Sequence, residues 1–261
     1  MTHGEGDAGR GVSELLVLCY HAVSADWPSP AAIPPARLSA QLRFLLRRGY
    51  RPLSLSAALD EKAPRRAMVV TFDDAYASII RSGLPVLEQL GVPGTVFVPT
   101  DAASEAGRMT WSELGRWSGT EHEHELRCMS WDDLRSLADR GWEIGSHSCS
   151  HPHLTEIDSE LAAAELRLSR AACEEELQRP CTSLAYPFGS YDGALMEMAR
   201  AAGYRTAVTL DERILEPLRG RGRLEVPREA IYRSTGWPNF VAKTSRLVRR
   251  IRVSKTYSVL T

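Results

Sequence analysis

The chain has 261 residues, 43% of them hydrophobic and 25% charged, and 32 basic residues against 33 acidic ones leave a formal net charge of −1. This composition is typical of a globular protein and excludes a disordered or fibrous one, and a dedicated nucleic-acid-binding protein would be basic overall. At this length we expect a single domain. The five cysteines are widely spread without a C-x-x-C pair, which predicts reduced thiols and no disulfide framework. Residues 1–13 contain no basic segment followed by an apolar run, so we expect a flexible N-terminus, no secretory signal and a cytoplasmic protein.

Short apolar runs alternate with helical patterns along the chain. The pattern predicts seven strands, in chain order at 15–20, 68–72, 95–98, 142–146, 184–186, 206–210 and 224–226. Between them it predicts helices at 37–48, 78–90, 130–140, 159–178 and 194–202. Such α/β alternation indicates a parallel sheet covered on both faces, and about seven strands favour a closed or nearly closed barrel. Catalytic side chains of barrels lie at the carboxyl ends of the strands.

Polar side chains follow several of these strands where each ends. Asp73 and Asp74 follow the second strand, and adjacent buried carboxylates need partners because burial penalises unpaired charge, although a helix cap is an equally good interpretation. His147 and His151 follow a later strand, and Pro152 places them in a turn. Imidazoles beside a carboxylate from another strand predict a divalent-metal site that leaves a position open for water, as in catalytic zinc sites. The alternative is a set of surface histidines without a ligand role.

Three motifs occur in order at predicted strand ends: T-F-D-D at 71–74, H-S-x-x-H-P at 147–152 and Y-P-F-G at 186–189. They resemble the motifs of the polysaccharide deacetylase family, also called the NodB-homology domain or carbohydrate esterase family 4, and the domain is assigned to 14–236. The resemblance implies a distorted (β/α)7-type barrel. It also implies a metal-dependent hydrolase that removes the acetyl group of an N-acetylhexosamine in a glycan, glycoside or glycolipid and releases acetate.

The resemblance further implies which residues bind the metal. Asp74, His147 and His151 match the family's three ligands, and His153 is the alternative ligand or a supporting residue. We expect Zn²⁺, while two imidazoles and one carboxylate also suit Co²⁺, Ni²⁺ or Fe²⁺.

The same comparison implies roles in catalysis. Asp73 matches the catalytic base that takes a proton from the attacking water. The backbone N–H of Phe188, together with the metal, is implied to hold the oxyanion, and Tyr186 is predicted to belong to the same substrate-binding motif.

The sequence departs from the family pattern at two places. Ala185 stands where most members have an arginine that orients the base, and Arg228 is predicted to replace it beside Asp73, unless Arg228 is an ordinary surface residue. No histidine follows His153, so the late histidine that serves other members as general acid is missing. The opening Y-H-A-V is similar to that of the poly-N-acetylglucosamine deacetylase subgroup, and His21 is therefore assigned as the acid that protonates the leaving amine.

Two other functions stay open: a hydrolase of C–N bonds in a non-sugar amide or imide, and a carbohydrate-binding relative without activity.

Trp111, Trp131 and Trp237 are equally suited to stack on a sugar or to pack in the core. The segment 237–261 has six cations and no carboxylate from 240 onward. It predicts either a last barrel helix with a solvated basic face or a peripheral contact with an anionic membrane.

Overall fold

The computed structural model describes residues 14–60, 62–104, 107–210, 223–249 and 251. The predicted flexible N-terminus at 1–13 and the end of the basic segment at 252–261 lie outside the described residues. The strands are β1 (Glu14–Tyr20), β2 (Ala22–Val23), β3 (Ala32–Ile33), β4 (Arg51–Leu53), β5 (Arg66–Phe72), β6 (Gly94–Val98), β7 (Glu143–Ser146), β8 (Ser183–Ala185), β9 (Thr206–Thr209), β10 (Val226–Pro227) and β11 (Glu229–Ala230). The α-helices are α1 (Pro35–Arg47), α2 (Leu55–Ala58), α3 (Leu84–Leu90), α4 (Thr100–Ser104), α5 (Trp131–Asp139), α6 (Ser159–Leu177), α7 (Gly193–Ala201) and α8 (Trp237–Thr244).

The main sheet is parallel and nearly closed into a barrel. Its strand order is β10-β9-β8-β7-β6-β5-β1-β11, and β4 pairs with the first half of β5, before β6 begins. The two ends of this order, β10 and β11, are separated in sequence by Arg228 alone. One short segment therefore pairs with β9 on one side and with β1 on the other. With that segment counted as one strand, the sheet has the seven-membered barrel arrangement that the sequence predicts.

The barrel interior is filled by alternate residues of the strands. Side chains of successive strand residues point to opposite faces, so every second residue of each strand faces inward. A compact cluster joins residues from six strands of the barrel: Val17, Val69, Phe97, Ala185, Val208 and Val226. The residues between them, such as Leu16 and Leu18, pack under the helices in the larger core cluster. Both faces of the sheet are therefore buried, which explains why its strands read as continuous apolar runs.

The predicted elements correspond closely to those of the structure, with one helix corrected. Ser130 and Asp133 form the reciprocal capping box that S-x-x-D predicts at the start of α5. The predicted helix at 78–90 begins as a π-helical turn over Ile79–Gly83, which continues directly into α3. Pro85 lies in the first turn of α3 and has no N–H to donate to the preceding turn, which accounts for the change of hydrogen-bond pattern at this point.

The basic C-terminal segment is less solvated than the sequence predicts. Arg249 is only 5% exposed, and its guanidinium donates to Glu14 Oε1 at 2.8 Å and to the carbonyl oxygen of Leu15 at 3.2 Å. Among the described residues of this segment, the exposed large hydrophobic side chains are Trp237, Leu247 and Ile251, at 47%, 67% and 46%. Within the described part of the chain, no helix has both the length and the apolar character needed to cross a membrane.

Candidate metal centre and active site

The T-F-D-D motif brings two carboxylates to the carboxyl end of β5. The backbone N–H of Asp73 donates to the Tyr20 carbonyl at 3.0 Å, which continues the pairing with β1 by one residue. Asp74 and Ala75 then adopt left-handed conformations with φ of 66° and 49°. This turn ends the alternation of the strand, so the carboxylates of Asp73 and Asp74 both approach His147 Nε2, at 4.0 and 3.5 Å. Positive φ at two non-glycine residues is a strained conformation of the kind concentrated at functional sites.

His147 is held by the strand next to its own. Its Nδ1 lies 2.8 Å from the Ala185 carbonyl oxygen, so Nδ1 carries the proton and the lone pair of Nε2 faces Asp74. Burial lowers the pKa of His147, and neutral imidazole is the form that binds a metal.

A tight turn of the chain places His151 beside Asp74 as well. The carboxylate of Glu165 on α6 accepts hydrogen bonds from the backbone N–H groups of Cys149 and Ser150, at 2.7 and 3.0 Å. Left-handed conformations at Ser148 and His151 complete the turn. His151 Nε2 consequently lies 3.5 Å from Asp74 Oδ1, and burial together with the neighbouring His147 lowers the pKa of His151 to about 2.

Asp74, His147 and His151 fit a divalent cation. Their ligand atoms all lie within 4.8 Å of one another. Tetrahedral zinc with bonds of about 2.0–2.1 Å separates its nitrogen and oxygen ligands by about 3.4 Å, and Asp74 Oδ1 is 3.5 Å from each imidazole Nε2. Asp74 Oδ1 is buried and accepts no hydrogen bond from the described residues. Burial and the charge of Asp73 raise the pKa of Asp74, so a cation would relieve an unfavourable environment.

Arg228 lies against Asp73 in the barrel interior. Its Nη1 donates to Asp73 Oδ1 at 2.6 Å and its Nη2 donates to Oδ2 at 2.7 Å, and Nη1 also reaches Thr71 Oγ1 at 3.0 Å. Burial alone would raise the pKa of Asp73, but the guanidinium holds it well below its usual range. Ala185 is small and faces the barrel interior, and Arg228 of the closing segment is the cation that contacts Asp73.

His21 lies on the Asp73 side of the centre. One of its ring nitrogens, the Sγ of Cys19 and an Asp73 carboxylate oxygen lie within 4.8 Å of one another, and the thiol donates to Asp73 Oδ2 at 3.4 Å. His21 Nδ1 is buried without a hydrogen-bond partner among the described residues, and its ring stacks on Tyr232 with centroids 6.3 Å apart. Burial lowers the pKa of His21 to about 4 despite the attraction of Asp73.

The Y-P-F-G residues occupy two different environments. Phe188 has φ of 60° and a side chain 38% exposed, so it lines the mouth of the site. Tyr186 is fully buried, and its hydroxyl donates to the Leu224 carbonyl at 3.1 Å, so its side chain lies in the core. The part of Tyr186 in substrate binding stays a prediction. His153 is also outside the cluster of metal ligands and stacks on Phe188, with centroids 3.6 Å apart. The ligand role considered for His153 is therefore not supported.

Sequence reasoning left one aromatic neighbour of the centre unassigned. Trp111 is half-buried and stacks on His151, with ring centroids 4.3 Å apart and an interplanar angle of 27°. It precedes a short 3-10 helix at Ser112–Trp117, in a segment without a recognisable motif. Trp131 is buried, and Trp237 packs on Phe44, so the structure distinguishes three tryptophans that the sequence does not.

Comparison with known proteins identifies a family and a fold. The family whose pattern matches is described as polysaccharide deacetylase, over residues 60–207. The YxkH protein of Bacillus subtilis is 24% identical over 204 residues, which are 76% of this chain and 65% of that protein. The poly-beta-1,6-N-acetyl-D-glucosamine N-deacetylase of Staphylococcus aureus is 22% identical over 199 residues, 71% of this chain and 63% of that protein. The chain thus spans less than two thirds of either relative. The Streptococcus pyogenes deacetylase PplD, solved with acetate, shares the fold with a TM-score of 0.73 and 21% identity, covering 90% of this chain and 100% of that one.

Proposed function

This chain belongs to the polysaccharide deacetylase family, and from that premise we propose that it is a metal-dependent N-deacetylase of an N-acetylhexosamine. The observation that carries the proposal is the convergence of Asp74, His147 and His151 within 4.8 Å at the carboxyl end of the barrel, with Asp73 beside them. A purely structural ion pair would not leave Asp74 Oδ1 buried without a hydrogen bond from the described residues. The products would be acetate and a sugar with a free amine.

In this proposal Asp74, His147 and His151 hold the ion. When bound, a divalent ion supplies Lewis acidity, which lowers the pKa of a water molecule and polarises the acetamide carbonyl. Asp73 is the general base, because Arg228 keeps its carboxylate ionised and Oδ2 faces the ligands, 4.0 Å from His147 Nε2. Arg228 also fixes the orientation of that carboxylate, since it donates to both oxygens.

His21 is proposed to protonate the departing amine. A pKa of about 4 means that His21 is neutral in the free protein, so the proton that it gives must reach it during the reaction. Asp73 gains a proton from the attacking water, and its carboxylate lies within 4.8 Å of a His21 ring nitrogen. Asp73 as the base and His21 as the acid would thus act on the same bound acetamide. The backbone N–H of Phe188 would face the developing oxyanion.

The sugar substrate is the finer part of the proposal. The name of the S. aureus relative supports an N-acetylglucosamine polymer as the first compound to test, and the half-exposed Phe188 offers an aromatic surface at the mouth of the site. A non-sugar amide and binding without catalysis remain the two alternatives. The complete set of Asp73, Asp74, His147 and His151 disfavours the second of them.

The test measures acetate release from N-acetylglucosamine oligomers and from simple acetamides, with the chain loaded with Zn²⁺ and after chelation. We expect release from the sugars only, loss on chelation, and recovery when metal is returned. Asp73→Asn should keep the metal and lower kcat by about two to four orders of magnitude, the contribution of a general base. His147→Ala should lose metal and activity together, whereas the matched control His153→Ala should keep both. Hydrolysis restricted to non-sugar amides, or metal lost from His153→Ala alone, would contradict the proposal.

A further inference from the structure

The two proposed metal-binding histidines are oriented in different ways. A histidine that binds a metal usually donates its second ring nitrogen to a carbonyl or carboxylate, which fixes the ring and its tautomer. His147 follows this rule through the Ala185 carbonyl at 2.8 Å. His151 does not, because its Nδ1 is buried and has no hydrogen-bond partner among the described residues. The orientation of His151 must therefore have another cause.

Aromatic rings surround His151 instead. Trp111 stacks on it with centroids 4.3 Å apart and planes inclined by 27°, and Phe188 packs against it at 4.7 Å and 60°. His147 makes an edge contact with the same ring at 4.7 Å. Such aromatic pairs are stabilising beyond the burial of their area. These contacts limit rotation of the His151 ring in the absence of a hydrogen bond.

The segment that carries Trp111 is itself fixed. The Trp111 carbonyl accepts a hydrogen bond from the Leu114 N–H at 2.9 Å, and the Met109 N–H donates to the Leu126 carbonyl at 2.9 Å. Glu125, next to Leu126, is buried and accepts from Ser24 Oγ at 2.7 Å and from Arg81 Nη2 at 2.9 Å. Trp111 is thus presented to the site from an anchored segment, as a positioning residue must be.

We propose that Trp111 is a positioning residue of the metal centre, whose indole holds the His151 imidazole so that Nε2 is directed at Asp74. The stack replaces the hydrogen bond that His151 lacks. This inference rests on the proposed function, because it requires His151 to bind the ion. It assigns a role to a residue between 107 and 128, a segment that the family motifs do not reach.

The test measures the Zn²⁺ dissociation constant of the full chain by competition with a chromophoric chelator. Trp111→Ala should weaken binding by about 10- to 100-fold, the usual cost of removing a group that supports a ligand. Trp111→Phe keeps a stacking ring and should restore most of the affinity, whereas Trp111→Leu keeps apolar bulk without the ring and should not. Trp237→Ala is the matched control, since Trp237 makes an edge contact with Phe44 at a centroid distance of 5.2 Å, away from the ligands. The visible absorption of the Co²⁺-loaded chain should change in Trp111→Leu and stay near that of the native chain in Trp111→Phe.

The outcomes separate this inference from the proposal beneath it. Unchanged Zn²⁺ affinity in both Trp111→Leu and Trp111→Ala, with affinity lost in His151→Ala, would overturn the role of Trp111 and leave the proposed centre standing. Unchanged affinity in His151→Ala would overturn the centre itself. Equal weakening of Zn²⁺ binding by Trp111→Phe and Trp111→Leu would show that the stack does not position the ligand. Thermal unfolding of the metal-free variants checks that each variant is folded.

Discussion

Replacing Arg228 by methionine should leave the Asp73 carboxylate buried without its counter-charge. Arg228 and Asp73 are 2% and 3% exposed, and two charge-assisted hydrogen bonds of 2.6 and 2.7 Å join them. Such bonds contribute about 1.5–3 kcal/mol each, and breaking a buried pair by removing one partner costs about 3–5 kcal/mol. We therefore expect Arg228→Met to lower the free energy of unfolding by about 3–5 kcal/mol at neutral pH. Activity should fall as well, because burial then raises the pKa of Asp73 and the base becomes protonated.

Urea unfolding of a double-mutant cycle measures this pair directly, with a chelator present so that metal binding does not contribute. Adding Asp73→Asn to Arg228→Met removes the unpaired charge, so the double variant should be more stable than Arg228→Met by at least about 2 kcal/mol. Asp73 has a lowered pKa in the native chain, so its stabilisation is present above the ordinary carboxyl pKa of about 4 and is lost as the pH falls below it. The deficit of Arg228→Met should therefore shrink in acid. A coupling energy below about 1 kcal/mol at neutral pH would refute the reasoning.

Three further variants test other parts of the chain. His21→Ala should lower kcat by about two to four orders of magnitude with little change in Zn²⁺ affinity, if it is the general acid, and an unchanged kcat would contradict that role. Arg249→Met should destabilise the chain by about 1.5–3 kcal/mol in urea unfolding, because it removes the charge-assisted hydrogen bond of 2.8 Å to buried Glu14, whereas Arg66 and the Tyr50 hydroxyl still contact that carboxylate. The membrane hypothesis stays a prediction: salt-sensitive co-sedimentation with anionic vesicles should decrease when the exposed Leu247 and Ile251 are both replaced by aspartate, and equal sedimentation of both chains would contradict it.

Local patterns were sufficient to predict most elements of the barrel. A strand of a covered parallel sheet is buried on both faces, so it is a continuous apolar run in the sequence, as in β1 and β5. Such a run of five or six residues can be recognised as a strand without knowing which strands it pairs with. The capping box of Ser130 and Asp133 is equally local, since its two hydrogen bonds join residues three apart. The missed strands β2, β3, β4 and β11 have two or three residues each, which is too short for a periodic pattern to be recognised.

The candidate ligands were predictable for a related reason. Strand ends of a parallel barrel meet on one surface, so motifs that follow strands come together whatever their separation in sequence. The two histidines and an adjacent aspartate could therefore be grouped before any distance was known, and the family resemblance implied that Asp74 is the ligand. The structure brings the ligand atoms of Asp74, His147 and His151 within 4.8 Å. The direction of each side chain could not be predicted, because it depends on left-handed turns at Asp74 and His151 that no glycine marks.

The sequence by itself determined the α/β class, the strand ends and the three motifs, because each depends on burial or turn chemistry within a few residues. The tertiary structure decided which residues outside the motifs contact the motif residues and orient their side chains. Arg228 reaches Asp73 across 155 residues of sequence, since the segment between β10 and β11 closes the barrel next to β1. The sequence offered Arg228 as a candidate partner of Asp73 or as a surface residue, and only the closure of the barrel decided between the two. Trp111 reaches His151 from a segment without a motif, and Tyr186 turns into the core although its motif borders the site. Contacts between distant segments depend on how the barrel closes and on which face each side chain takes, and no local pattern encodes either.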